Sequence, residues 1–117
     1  NNEVVGCINV VHLEEKLDAV EIGYKLSRKC WGKGIMTEAL IAVIDYLIEE
    51  AGCNRVAARH DVNNPASGKV MLKAGMTYEG TLRQYGKNNQ GICDMAYYSI
   101  IKADLLKEEE KTDVSDL

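Results

Sequence analysis

Apolar and polar residues alternate along Ala19 to Ser27, with Val20, Ile22, Tyr24 and Leu26 set against Glu21, Gly23, Lys25 and Ser27. That period of two marks a half-buried strand. Val4 to Val11, rich in β-branched residues, predicts another strand before it, and the short charged stretch His12 to Asp18 between them suits an antiparallel hairpin rather than a crossover. From Thr37 the period lengthens. Leu40, Val43, Ile44, Leu47, Ile48 and Ala51 fall on one face of a helix, which Gly52 stops. Asn54 to Val62 alternates again, with Val56, Ala58, His60 and Val62 on one side, giving a β-α-β unit. Asn64 followed by Pro65 predicts a second, short helix with Asn64 as its cap, and Gly75 after Lys73 and Ala74 is its stop. Tyr78 to Tyr85 and Ile92 to Ile101 read as strands joined by a hairpin loop, Gly86 to Gly91. The order is ββαβαββ, an α/β domain with a mixed sheet and two helices. Hairpins at both ends argue against a purely parallel, doubly wound sheet.

The 117 residues, 46% hydrophobic and 27% charged, fit one globular domain with its own core. We assign it to residues 1–106, followed by an acidic tail, 107–117, expected to fray. The chain begins at Asn1 and enters a strand almost at once, so it reads as a fragment. The longest apolar stretch, Ala39 to Ile48, is interrupted by Asp45 and falls well short of the roughly 20 residues of a membrane span. No secretory leader opens the chain, which leaves the cytoplasm as the expected compartment and no membrane partner. A net charge of −4 argues against nucleic acid as a partner. Cys7, Cys30, Cys53 and Cys93 form no C-x-x-C pair, and His12 and His60 do not fall at ligand spacings from them. Buried or half-buried thiols are expected, and no metal. His60 on the Val56 face, and Tyr78, Tyr85, Tyr97 and Tyr98, read as packing residues.

Chemistry concentrates between Ser27 and Leu40, where the chain leaves a strand, passes Gly32 and Gly34 and enters an apolar helix. First-turn amides have no acceptor within a helix and point along the positive end of its dipole, and glycines let a phosphate approach the backbone. A pyrophosphate suits that geometry. A Walker loop is excluded, because Gly32-Lys33-Gly34 lacks both its spacing and its Ser/Thr after the lysine. A dinucleotide fingerprint wants a third glycine at Thr37 and a parallel βαβ setting instead of a hairpin.

Trp31-Gly32-Lys33-Gly34-Ile35-Met36-Thr37-Glu38-Ala39-Leu40 resembles the pyrophosphate loop and following helix of the GNAT acyltransferase superfamily, in the branch that contains the ribosomal-protein N-terminal acetyltransferases. Glu21-Ile22-Gly23-Tyr24 precedes it at the family's usual distance. Asn64-Pro65-Ala66-Ser67, Lys73-Ala74-Gly75-Met76 and Gly80-Thr81-Leu82-Arg83 follow in the branch's order. The resemblance runs from Val4 to about Leu106, without a counterpart for the family's first strand, two helices and second strand. It implies the GNAT acyl-CoA N-acyltransferase fold and transfer of acetyl from acetyl-CoA to a primary amine, either a protein N-terminus or a small molecule. It also implies a donor lying where two strands splay apart, its pantetheine on main chain near Leu26 and its pyrophosphate on the amides of Gly32 to Thr37. The expected binding set is Leu26, Ser27, Arg28, Lys29, Gly32, Lys33, Gly34, Ile35, Met36, Thr37, Asn64 and Ser67.

The match has departures. Lys29 stands where the family pattern has Arg or Gln. The tyrosine that the superfamily often places seven residues after the helix-start Asn, to protonate the departing thiolate, is Met71 here, and the resemblance suggests Ser67 in its stead. Several residues carry two readings. Lys29 and Lys33 are phosphate contacts or a solvated face, Asn64 a ligand contact or only a cap, and Ser67 a proton donor or a polar first-turn residue. Glu21, on the polar side of its strand, is a solvated or paired carboxylate or the group that receives the amine's proton. Two further functions stay open: a CoA-binding module without turnover, and a scaffold that recruits a partner, including a second copy, through an open strand edge.

Overall fold

The computed structural model describes residues 6–106. Val4, Val5 and the tail at 107–117 lie outside the described residues. Five strands form one mixed sheet: β1 (Gly6–Glu14), β2 (Ala19–Leu26), β3 (Arg55–Asp61), β4 (Thr77–Asn88) and β5 (Gly91–Ile101), in the spatial order β1-β2-β3-β5-β4. The helices between strands are α1 (Ile35–Glu49), joining β2 to β3, and α2 (Pro65–Lys73), joining β3 to β4; residues 102–106, after β5, are helical as well. The ββαβαββ order read from periodicity is the observed one. The pairs β1/β2, β3/β5 and β4/β5 are antiparallel and β2/β3 is parallel, as hairpins at both ends and two helical crossovers, through α1 and α2, require.

Both helices pack on the sheet face that carries Val20, Ile22, Val56, Ala58, Ala96, Tyr98 and Ile100. From α1 come Leu40, Ile44 and Ile48, at the four-residue spacing that repeats one helical face. Ala51, expected on this face, lies beyond the helix and is exposed, and Val62 lies just past β3 and is exposed too. His60 is buried, as expected, and its ring lies against Tyr98 with centroids 5.5 Å apart. Its Nδ1 is 2.7 Å from the Asp61 carbonyl, which can only accept, so Nδ1 carries the proton. Nε2 is buried with no hydrogen-bond partner among the described residues.

Gly68 brings α2 down onto this spot. A Cβ added there would lie 2.7 Å from His60 Nε2 and 3.0 Å from Tyr98 Oη, so the helix sits as close to the sheet as a residue without a side chain allows.

Three expectations need correction. Gly86 to Gly91 is not a loop: Gly86 pairs with Cys93, Lys87 with Ile92 and Asn88 with Gly91, leaving Asn89 and Gln90 as the turn. Strand pairing competes well here because Asn88 is fixed from both sides, its Nδ2 donating to Asp61 Oδ2 at 2.6 Å and its Oδ1 accepting from Gln90 N at 2.8 Å. Asn64 makes no side-chain cap. Its backbone carbonyl accepts from Ser67 N at 3.2 Å instead. Cys7 is exposed, not buried or half-buried, because it lies on β1 at the edge of the sheet; all four thiols are free.

Candidate functional site

The parallel pairing of β2 with β3 runs only from Ala19↔Arg55 to Ile22↔Ala58. Beyond it β2 continues to Leu26 and β3 to Asp61 without pairing to each other, so the sheet opens between them. A cleft of about 690 Å³ lies at this opening, walled by the end of β2, the turn into α1 and one side of α2.

The α1 end of the cleft has the geometry the glycines suggest. Gly34 is the N-cap at φ 74°, and the first helical hydrogen bond runs from Glu38 N to Gly34 O at 3.0 Å. The amides of Ile35, Met36 and Thr37 therefore have no acceptor within the helix, and a glycine cap offers no side chain to take their place. α1 starts two residues before the expected Thr37 because Gly34 adopts the left-handed turn that lets the helix begin there.

Of the residues expected at the site, Leu26, Gly32, Gly34, Ile35, Met36, Thr37, Asn64 and Ser67 line the cleft together. Ser27, Arg28, Lys29 and Lys33 are not in its lining. The Arg28 guanidinium lies over the Trp31 ring, 5.6 Å from its centroid. The Trp31 indole N–H donates to the Leu26 carbonyl at 2.8 Å, so a ligand that uses this carbonyl must displace the indole.

Glu21 lies on the other sheet face, where its Oε2 is 3.3 Å from Arg59 Nε. Arg59 also donates to Tyr97 Oη at 2.8 Å. On the same face Arg55 grips Glu79 through both guanidinium nitrogens, at 2.6 and 2.7 Å, and holds its carboxyl below the usual carboxylate range.

The sequence reading missed the cleft's own cations and its phenol. Lys69 and Lys73 stand four residues apart on α2, so both face the cleft. Their spacing was the available signal, outweighed by Lys29 and Lys33 sitting beside the glycines. Tyr24, assigned only to packing, sends its hydroxyl across the opening to Ser67. It donates to the Ser67 carbonyl at 2.9 Å and lies 2.9 Å from Ser67 Oγ. Burial pushes the Tyr24 phenol above its ordinary value, against the lowering effect of the Ser67 hydrogen bond. Met71, at the position where the superfamily often has tyrosine, is buried in the core.

Among the described residues no group of three or more His, Cys, Asp or Glu side chains could hold a metal ion, and no helix is long and apolar enough to cross a membrane.

Comparison with known proteins gives the family. The family model described as "Acetyltransferase (GNAT) domain" matches residues 1–77, more than half of the chain. YoaA of Bacillus subtilis (strain 168), an uncharacterized N-acetyltransferase, is 35% identical over 100 residues, which is 86% of this chain and 56% of that protein. The ribosomal-protein-serine acetyltransferase of Escherichia coli (strain K12) is 32% identical over 100 residues, again 86% of this chain and 56% of its own length. The crystal structure of a ribosomal-protein-S5-alanine acetyltransferase from Vibrio fischeri superposes with a TM-score of 0.78 at 28% identity, covering 83% of this chain and 54% of that one. The chain thus spans a little over half the length of the curated relatives it matches. It belongs to the GNAT acetyltransferase family.

Proposed function

We propose that this chain carries the acetyl-CoA site of an N-acetyltransferase that acts in the cytoplasm on a primary amine, either a protein N-terminus of the kind its ribosomal-protein relatives modify or a small amine. The observation that supports this best is the cleft where β2 and β3 part, which combines free first-turn amides of α1 with two lysines of α2. The amides of Ile35 to Thr37 take the pyrophosphate, and Lys69 and Lys73 neutralise phosphate charge from the opposite wall. The acyl arm follows the unpaired end of β2 toward Ser67. Lys69→Ala and Lys73→Ala should each weaken acetyl-CoA binding by about tenfold in calorimetry, the loss of one exposed charge-assisted contact, and the deficit should shrink as salt is raised.

The amine approaches from the opposite sheet face and attacks the thioester carbonyl directly. Positioning of the two reactants supplies much of the rate. Glu21, held by Arg59, receives the amine's proton directly or through one water. Release of free thiol from acetyl-CoA in the presence of a peptide with a free N-terminus, or of a polyamine, tests the reaction. Glu21→Gln should lower kcat/KM by about a hundredfold and alter the pH profile. An unchanged profile would remove Glu21 from the mechanism.

A further inference from the structure

Ser67 is poorly suited to give up a proton alone. Protonating a thiolate, whose conjugate thiol has an ordinary pKa of about 8.5, would leave a serine alkoxide, a far stronger base than the thiolate it had just neutralised. A phenol, near 10, is much better matched. The structure places one in contact: Tyr24 Oη is 2.9 Å from Ser67 Oγ. Lys69 and Lys73 line the same cleft along α2. Lys73 is six residues beyond Ser67 on α2, about 9 Å further along the axis.

We propose that Tyr24 is the source of the proton that reaches the departing sulfur, with Ser67 as the relay. This rests on the reading of the cleft as the acetyl-CoA site and deepens it.

The hydrogen bonds describe a loaded pair. Because a carbonyl only accepts, the Tyr24 proton rests on the Ser67 carbonyl, and Ser67 Oγ donates its own proton to Tyr24 Oη. When negative charge builds on the sulfur, the Ser67 hydroxyl turns toward it. The Oγ–H bond breaks as an S–H bond forms, and the Tyr24 Oη–H bond breaks as a new Oγ–H bond forms. The products are the free thiol, an intact serine and a Tyr24 phenolate. Glu21 releases to solvent the proton it took from the amine, and the phenolate takes one up from solvent, which closes the balance. Burial keeps Tyr24 in its protonated form through the neutral range, so the relay is charged before each turnover. Tyr24 acts through Ser67 and is a positioning residue with a proton to deliver.

A test that needs no acceptor compares CoA with desulfo-CoA, which has the same phosphates and pantetheine but no thiol. The titratable groups around the pair are His60 and Tyr98 beneath it and Lys25, Cys30, Glu38, Lys69 and Lys73 along the cleft; they meet both ligands, so the affinity ratio isolates the sulfur. Calorimetry from about pH 6.5 to about pH 9 spans most of the ordinary thiol titration. For the parent chain the ratio of CoA to desulfo-CoA affinity should rise by about tenfold, since hydrogen-bond donors at Ser67 favour the thiolate. Tyr24→Phe, which keeps the ring, and Ser67→Ala should each flatten that rise. A parent ratio that does not change with pH would overturn the relay whatever the variants do, as would a Tyr24→Phe curve matching the parent. Failure of the parent to bind either ligand would instead remove the cleft assignment itself, and the relay with it.

Discussion

Replacing Gly34 with Asp should weaken acetyl-CoA binding by about a thousandfold while leaving α1 helical. The reason is competition for the amides. Gly34 caps α1 with φ 74°, and a Cβ built there meets nothing within 4 Å, so the substitution creates no clash. The left-handed conformation costs about 1 kcal/mol for a residue with a side chain, and Asp tolerates it better than most. An aspartate at the cap sets its own carboxylate beside the amides of Met36 and Thr37, and the helix gains an internal anion in place of an external one. Two or three charge-assisted hydrogen bonds, each about 1.5 kcal/mol, are then denied to the ligand, which comes to about 4 kcal/mol or a thousandfold. Gly34→Ala separates the causes, since it carries the backbone strain without the carboxylate and should cost less than about tenfold. Calorimetry on both variants, with circular dichroism to confirm helix content, checks the expectation. A Gly34→Asp chain that binds like the parent would place the phosphates elsewhere.

Gly68→Val should destabilise the fold by about 3 kcal/mol, read as a lower urea midpoint. The added Cβ alone would stand 2.7 Å from His60 Nε2 and 3.0 Å from Tyr98 Oη. Neither ring has room to retreat, because both are buried and each packs against the other. α2 must therefore lift from the sheet, at a cost characteristic of overpacked cores, and the small gain in helix propensity over glycine does not offset it. Out of a total stability of roughly 5–15 kcal/mol that is a large fraction. The same displacement would pull Ser67 away from Tyr24, so any remaining folded protein should also lose the pH-dependent preference for CoA over desulfo-CoA.

Much of this fold is written in local periodicity. β2 and α1 are legible because each turns one face into the same core: Val20 and Ile22 alternate on the strand, and Leu40 and Ile44 are spaced for a helix. The tip of the β4/β5 hairpin reads as a loop in the sequence because glycine and asparagine favour turns when considered alone. What keeps Asn88 in the strand is Asp61, 27 residues away. The site divides in the same manner. The glycines before α1 suggest free first-turn amides within a few residues of sequence, and the structure brings Leu26, Asn64 and Ser67 to the same cleft. The Tyr24–Ser67 contact spans 43 residues and exists because β2 and β3 stop pairing after Ile22 and Ala58. No pattern along the chain encodes where two strands part. Lys69 and Lys73 were legible as a pair on one helical face, but which way that face looks is decided by Gly68 seating α2 on His60 and Tyr98.

The proposal of an acetyl-CoA site at the opening between β2 and β3 is tested most directly by titrating the ¹⁵N-labelled chain with acetyl-CoA and following its backbone amides by NMR. Saturable binding with the largest shifts at Gly32, Gly34, Ile35, Met36 and Thr37, accompanied by Leu26 and Ser67, is the expected result. Saturable binding whose shifts leave the α1 first turn untouched, or no saturable binding at all, would contradict it.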